Sequence, residues 1–321
     1  VADLGPQNLK GFAEPQRAWR VVSENRSLGR FETLRSSATP LVGRDEEVAL
    51  LCRCWWEATA RGGRVALISG EPGIGKSRLV ETLAERIAGE PHVQLRYFCF
   101  PHHQESALYP IIAQMERAAG FVREDSPAQR LAKLQAMLAA RGTRTAAGPM
   151  EGAAPSIEDV TLLADMHSLP GPDGAPPPAV SPQQKKEKTF DALLRHIGRL
   201  SQQRPVLLVF EDIHWIDPSS RELLERIVAR IAAWPALLVA TFRPEVEPHW
   251  TGQPEATTLA LTRLDPADTA AMVANITGDA ALPADIVQEI ARRTDGVPLF
   301  VEELTRVVLE SGAAGAAAQS A

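Results

Sequence analysis

Gly70-Glu71-Pro72-Gly73-Ile74-Gly75-Lys76-Ser77 is a complete Gly-x-x-x-x-Gly-Lys-Ser phosphate-binding loop. The apolar run Arg64-Val65-Ala66-Leu67-Ile68-Ser69 before it reads as a buried strand. Arg78 to Ile87 after it carries apolar residues at helical spacing. Strand, loop and helix in that order are the setting in which the motif carries meaning. Glycines let the backbone wrap a phosphate closely, so successive N–H groups and the helix N-terminus point at its oxygens. The candidate nucleotide-binding segment is therefore Gly70 through Ser77 with Arg78 beside it. Lys76 would reach the β- and γ-phosphates, and the Ser77 hydroxyl would ligate Mg²⁺. The ligand class implied is a nucleoside triphosphate.

Val206-Leu207-Leu208-Val209-Phe210-Glu211-Asp212 is an apolar run ending in two acids. It predicts a strand buried on both faces of a parallel sheet, whose C-terminal end is where open α/β sheets place ligands. Glu211 is the candidate for the Mg²⁺ shell and Asp212 for polarising the attacking water. The metal position is more usually Asp, and two acids can also simply open a solvated loop. His214 and Trp215 read as packing residues first and site-lining residues second. Asp217-Pro218-Ser219-Ser220 reads as a helix start, with Asp217 as cap. A third strand, Ala236 to Phe242, ends at Arg243-Pro244. Arg243 could sense the γ-phosphate, or be a surface arginine beside a turn proline.

Lys and Arg total 34 against 40 Asp and Glu in 321 residues, a net charge of −6. That balance argues against a dedicated nucleic-acid binder, and Lys185-Lys186-Glu187-Lys188 reads as a solvated helix face. Cys52, Cys54 and Cys99 are too few for a disulfide framework and suit free thiols in a reducing compartment. Cys99 with His102-His103 lacks the ligands of a zinc site. No run of eighteen apolar residues and no signal-peptide pattern occurs, so the expected location is cytoplasmic, with no membrane partner.

Along the chain, residues 1–22 form an N-terminal arm and 23–40 a polar connector. From Arg44 a helix carries Val48, Leu51, Trp55 and Ala58 on one stripe. Val93 to Phe98 forms a further strand, in chain order between the phosphate loop and the metal strand. Helical patterns occupy about 107–120, 126–141, 157–167 and 183–202. Residues 142–156 and 169–182 read as loops. After Pro244 a short strand near 257–261 leads to helices near 266–277, 283–294 and 299–311, a candidate lid; a small-residue tail follows.

As a set, Leu41-Val42-Gly43-Arg44-Asp45-Glu46-Glu47, the Gly70–Ser77 loop, Phe210 to Asp217, Thr241 to Glu245, and Asp295-Gly296-Val297-Pro298-Leu299-Phe300 through Leu304 resemble the STAND branch of the AAA+ ATPases. More narrowly, they look like the ATPase module that follows the cyclase domain in bacterial adenylate/guanylate cyclase-like proteins. The resemblance covers about residues 41–310. It implies a P-loop NTPase fold of the ASCE/AAA+ type: a three-layer αβα parallel sheet with a small C-terminal helical lid. It implies ATP and Mg²⁺ as ligands, Val42, Gly43 and Arg44 on the adenine side, and Pro298 closing over the base. Glu211 departs from the Asp of many relatives, which bears on the hydrolysis rate more than on binding.

Asn8 to Val22, a Lys10-Gly11 turn followed by an edge-type strand carrying Trp19, Val21 and Val22, is similar to the closing segment of class III nucleotide cyclase domains, although an exposed hairpin arm is the alternative. Without paired metal-binding aspartates on a βαββ framework, no cyclase activity is expected from this chain. The organisation expected is thus a cyclase remnant (1–22), a linker (23–40), the ATPase core (41–245), a helical lid (246–311) and a flexible tail (312–321). The function expected is a switch that binds ATP and hydrolyses it slowly. It would couple ATP/ADP state to an upstream cyclase and a downstream sensor or repeat domain, with nucleotide-dependent self-association open. Arg221, Arg226 and Arg230 are available as intersubunit arginines, with none assigned. A non-hydrolysing nucleotide-gated scaffold and a nucleic-acid-dependent ATPase are the alternatives.

Overall fold

The structure is a computed structural model that describes residues 2–7, 15–20, 40–139, 154–176, 178–246, 248, 250–278 and 282–319. It divides into two units, Val1–Ala38 and Thr39–Ala321. In the first, β1 (Ala2–Gln7) pairs antiparallel with β2 (Gln16–Arg20). The sequence expects a strand at Trp19 but gives no sign of β1. The turn at Lys10-Gly11, Val21, Val22 and all of the connector except Pro40 lie outside the described residues.

The second unit is built on one parallel sheet. Its strands are β3 (Arg64–Ser69), β4 (Val93–Phe98), β5 (Val206–Glu211), β6 (Ala236–Phe242) and β7 (Ala256–Ala260). They lie in the order β4-β5-β6-β3-β7, every neighbouring pair parallel. The strand that comes between the phosphate loop and β5 in the chain, β4, sits at an edge of the sheet. The one inserted between them in space is β6.

Helices cover both faces because alternate residues of each strand point to opposite sides. On one face, α1 (Asp45–Arg61) and α2 (Lys76–Ile87) pack against Ala66, Ile68, Leu207, Val209, Leu237 and Val239. The other face buries Val65, Leu67, Leu208, Phe210, Leu238 and Ala240. Its cover is α3 (Tyr109–Ala119), α4 (Pro127–Ala139), α5 (Ile157–Met166), α6 (Pro182–Gln203) and α7 (Pro218–Arg230). All six residues of β5 are buried, as its uninterrupted apolar run demands. Each such Leu or Val stabilises the sheet by about 1.5–3 kcal/mol. Leu169, in a stretch expected to be loop, is buried in this core.

After β7 come α8 (Pro266–Thr277), α9 (Ala284–Thr294) and α10 (Pro298–Gln319). They share a small core of Leu264, Met272, Val273, Ile290 and Val301. The helix α10 runs into the stretch read as a tail, since alanine is the best helix former. Of the stretch 142–156, residues 142–153 lie outside the described residues.

The turn between α9 and α10 is tight. Asp295 has φ 49° and Gly296 φ 70°, and Leu264 N–H donates to the Gly296 carbonyl at 2.8 Å. A Cβ on Gly296 would lie 2.2 Å from the Leu264 carbonyl oxygen. Gly296→Ala combines a strained left-handed residue with a backbone clash. It is expected to cost about 1–3 kcal/mol, read as faster amide exchange in α8–α10 and a lower urea midpoint.

Candidate functional site

Three adjacent strands deliver their C-terminal ends to one place. Ser69 of β3 pairs with Phe242 of β6, and Phe210 of β5 with Ala240 of β6. The phosphate loop, Glu211-Asp212 and Arg243 therefore leave the sheet side by side. Gly75 caps α2 at φ 103° with no side-chain hydrogen bond, so the helix's first N–H groups stay open towards the loop. A Cβ at Gly75 would meet nothing within 4 Å, so the need for glycine there is conformational.

Lys76 is folded against its own loop. Its Nζ donates to the carbonyls of Gly70 at 2.7 Å and Glu71 at 3.0 Å. Burial lowers its pKa, while Asp212 opposes that shift and Arg243 adds to it. Ser77 Oγ donates to Glu211 Oε2 at 2.5 Å. These two hard oxygens are a donor pair of the kind Mg²⁺ takes, and the residues fit that ion.

Glu211 is only 3 % exposed, and its other oxygen is held by Arg96. Arg96 Nη2 lies 2.5 Å and Nε 2.7 Å from Glu211 Oε1, while its Nη1 donates to Glu81 of α2 at 2.8 Å. Arg96 was not among the residues expected from the sequence. The available signal was its place in Val-Gln-Leu-Arg-Tyr-Phe: a charge inside a strand next to β5, in a sheet covered on both faces.

Asp212 leaves the strand in the left-handed region (φ 57°), with its N–H donated to Thr241 Oγ1 at 2.9 Å. Burial raises its pKa, partly offset by Lys76 and Arg243. The Arg243 guanidinium lies 5.5 Å from the Trp215 ring centroid. His214 packs on Trp215 with ring centroids 5.0 Å apart, and its Nδ1 is 4.0 Å from Asp212 Oδ1.

The C-terminal helices rest directly on the phosphate loop. Leu299 N–H donates to the Gly73 carbonyl at 3.2 Å, and Pro298 opens α10 beside that contact. A Cβ on Gly73 would lie 3.0 Å from Leu299 Cβ. Arg263 binds Glu71 of the loop at 3.0 Å and also pairs with Asp295 of the turn. Val42 packs with the small helical core. Gly43 lies against the Asp268 carboxylate, and Arg44 donates to the Thr262 carbonyl and to Glu47 at 3.2 Å. Arg44 and Arg78 line a cavity of about 180 Å³ between α1 and α2.

The remaining polar groups of interest are engaged. Lys185, Lys186 and Lys188 pair with Asp165, Glu222 and Glu158. Arg226 pairs with Glu187 and Glu222. All three cysteines are buried free thiols. Among the described residues no cluster of three or more His, Cys, Asp or Glu could hold a metal, and no helix is long and apolar enough to cross a membrane.

A parallel sheet with a Gly-Lys-Ser loop opening α2 and acids at the end of β5 defines a P-loop nucleotide-binding α/β protein. Residues 40–239 match the model of the AAA ATPase domain, and the chain belongs to that family. It is 31 % identical over 311 residues to the "Uncharacterized protein R02095" of Rhizobium meliloti (strain 1021). That match takes in 96 % of this chain but only 29 % of the relative's length. Among solved structures it is similar to the Aeropyrum pernix ORC1 protein in complex with DNA, at 14 % identity and TM-score 0.49, covering 84 % of this chain and 60 % of that one. It is also similar to the STAND protein with a tetratricopeptide repeat sensor from Pyrococcus horikoshii, at 14 % identity and TM-score 0.45, covering 88 % and 31 %. The family membership rests on the match over residues 40–239, not on these distant likenesses.

Two outcomes follow from the geometry. Arg96→Ala strands the buried carboxylate of Glu211 and is expected to destabilise the protein by about 3–5 kcal/mol in urea unfolding. Adding Glu211→Gln should recover part of that loss, as a double-mutant cycle would show. Asp212 has a folded pKa above its ordinary 3.8, so its ionised form opposes folding and the penalty fades as pH falls through the folded value. Asp212→Asn should therefore melt slightly higher than wild type at pH 7, with the gap closing in acid.

Proposed function

We propose that the chain is an ATP-binding switch module that hydrolyses ATP slowly and passes its nucleotide state to neighbouring domains. The observation that carries this reading is the Ser77–Glu211 contact at 2.5 Å, which joins the phosphate loop to the acidic end of β5. In this reading ATP lies along Gly70–Arg78, with Val42, Gly43 and Arg44 on the adenine side and Pro298 over the base. Lys76 and the loop amides stabilise charge on the transferring phosphoryl group. Mg²⁺, held by Ser77 and Glu211, would neutralise charge on the phosphates. Asp212 positions water, and Arg243 reports the γ-phosphate.

Slow turnover is supported by the engagement of Glu211 with Arg96 and by the longer acid at a position that is more usually Asp. Coupling is supported by the Leu299–Gly73 and Arg263–Glu71 contacts, because only contacts that differ between ATP and ADP states can shift such an equilibrium. The setting beside a cyclase domain, a downstream sensor or repeat domain, self-association and a cytoplasmic location belong to the same proposal. They rest on the resemblance of residues 8–22 and 41–310. The ion pairing of Lys185, Lys186 and Lys188 speaks against nucleic acid as a partner at that face.

Nucleotide binding and phosphate release, measured together on the purified chain, test the reading. Wild type should bind ATP–Mg²⁺ and release phosphate slowly. Lys76→Ala should lose affinity by more than about 100-fold. Asp212→Asn should bind normally and turn over about 10²–10⁴-fold more slowly. Binding without any turnover would put the nucleotide-gated scaffold in its place. An ATPase rate that rises on adding DNA would favour a nucleic-acid-dependent enzyme, and absence of binding would sink the proposal.

A further inference from the structure

A short link joins the core of the sheet to the core of the C-terminal helices. Leu261 is buried with the sheet residues under α1 and α2, and Leu264 with the core of α8–α10. Leu261 N–H donates to the Ser69 carbonyl at 2.8 Å, and Arg44 donates to the Thr262 carbonyl. Leu264 N–H is tied instead to Gly296, in the turn before α10. The anchoring changes sides at Arg263, an exposed residue outside any helix or strand. Hinges between packed bodies are built from a few such positions.

The Arg263 side chain spans the same boundary. Its Nη2 lies 3.0 Å and its Nε 3.2 Å from Glu71 Oε2, in the phosphate loop. Its Nη1 pairs with Asp295, in the turn that leads into α10. Glu71 is held by its backbone as well, since its carbonyl accepts from Lys76 Nζ at 3.0 Å. Two residues on, Gly73 carries the Leu299 contact. Val42 and Gly43 also touch the C-terminal helices, but from a segment outside the loop. The helices cannot swing off the loop about residues 261–264 without parting Leu299 from Gly73, and Arg263 from Glu71 or Asp295.

We propose that Arg263 is an electrostatic clasp across a hinge, and that it sets the rate at which nucleotide enters and leaves the phosphate loop. The proposal rests on the nucleotide-binding reading above and deepens it. Both ion pairs are exposed, so each is weak and screened by salt. A gate needs no more than that: it must break reversibly, and a modest bias slows exchange several-fold. Opening serves entry and exit alike, so the clasp acts on both rates and leaves affinity nearly unchanged.

The alternative is that Arg263 acts only as a positive charge attracting the phosphates. Two substitutions of opposite charge separate the readings. Arg263→Ala removes a cation, and Asp295→Asn removes an anion at a left-handed position that asparagine tolerates. As a simple attractor, Arg263 would make the first variant slower to associate and the second faster. As a clasp, it makes both variants faster.

The experiment is stopped-flow fluorescence of methylanthraniloyl-ADP with Mg²⁺ on the full chain, with melting temperatures taken on the same samples. Association and dissociation should each rise about three- to fivefold in either variant, with Kd within about twofold of wild type. The double variant should be no faster than the singles, because one clasp is broken once. The gap between wild type and variants should shrink as salt is raised to about 0.5 M, where screening acts within roughly 4 Å. If the two variants move in opposite directions, or either keeps the wild-type rates, the proposal fails while nucleotide binding stands. If wild type does not bind the analogue, both fail together.

Discussion

The buried carboxylate of Glu211 is the point on which the rest of this structure depends. It is 3 % exposed and lies at the end of a strand whose six residues are all buried. A charge in such a place is tolerable only if every lone pair is met. Ser77 meets it from the phosphate loop and Arg96 from the edge strand, and Glu81 of α2 neutralises the arginine's remaining donors. One network thus ties β4, β5, the loop and α2 together. Apolar packing sets the layers, but this network sets how far the loop stands from the strand ends.

A second constraint acts from the other side of the loop. Gly73 is pressed by Leu299 and gives its carbonyl to the Leu299 N–H, while Arg263 spans Glu71 and Asp295. The ion pairs here are exposed, screened by solvent and individually worth little. The close backbone approach is the stiffer element, because it depends on two glycines, Gly73 and Gly296, that no larger residue could replace without movement. A phosphate entering the loop must act on the same residues that carry the C-terminal helices. In the proposed switch, this sharing of atoms is the physical basis for coupling.

Some elements could be read directly from residue order. The phosphate loop, the apolar run of β5 with its two acids, and the helices of the C-terminal region each carry a local pattern: glycine spacing, strand-type continuity, or apolar residues at helical period. Asp217 could be read as a cap, and it is one, accepting from Ser220 N–H at 2.9 Å; the same oxygen also accepts from Leu108 N–H at 3.0 Å, a contact 109 residues away. That second role has no local signature. The strand β1 was missed because its Gly5 and Pro6 argue against a strand, and only pairing with β2 makes one.

The sequence by itself determined the class of ligand and the sheet type, because both follow from short stretches in which each residue's neighbours are its chain neighbours. Only the tertiary structure decided which strand lies between the loop and the acids, which cation holds Glu211, and which side chain stands beside Asp212. Strand order is set by how helices cross over a sheet, and Arg96 and Ser77 reach Glu211 from 115 and 134 residues away. Distances of that kind are fixed by packing, and no local pattern encodes them.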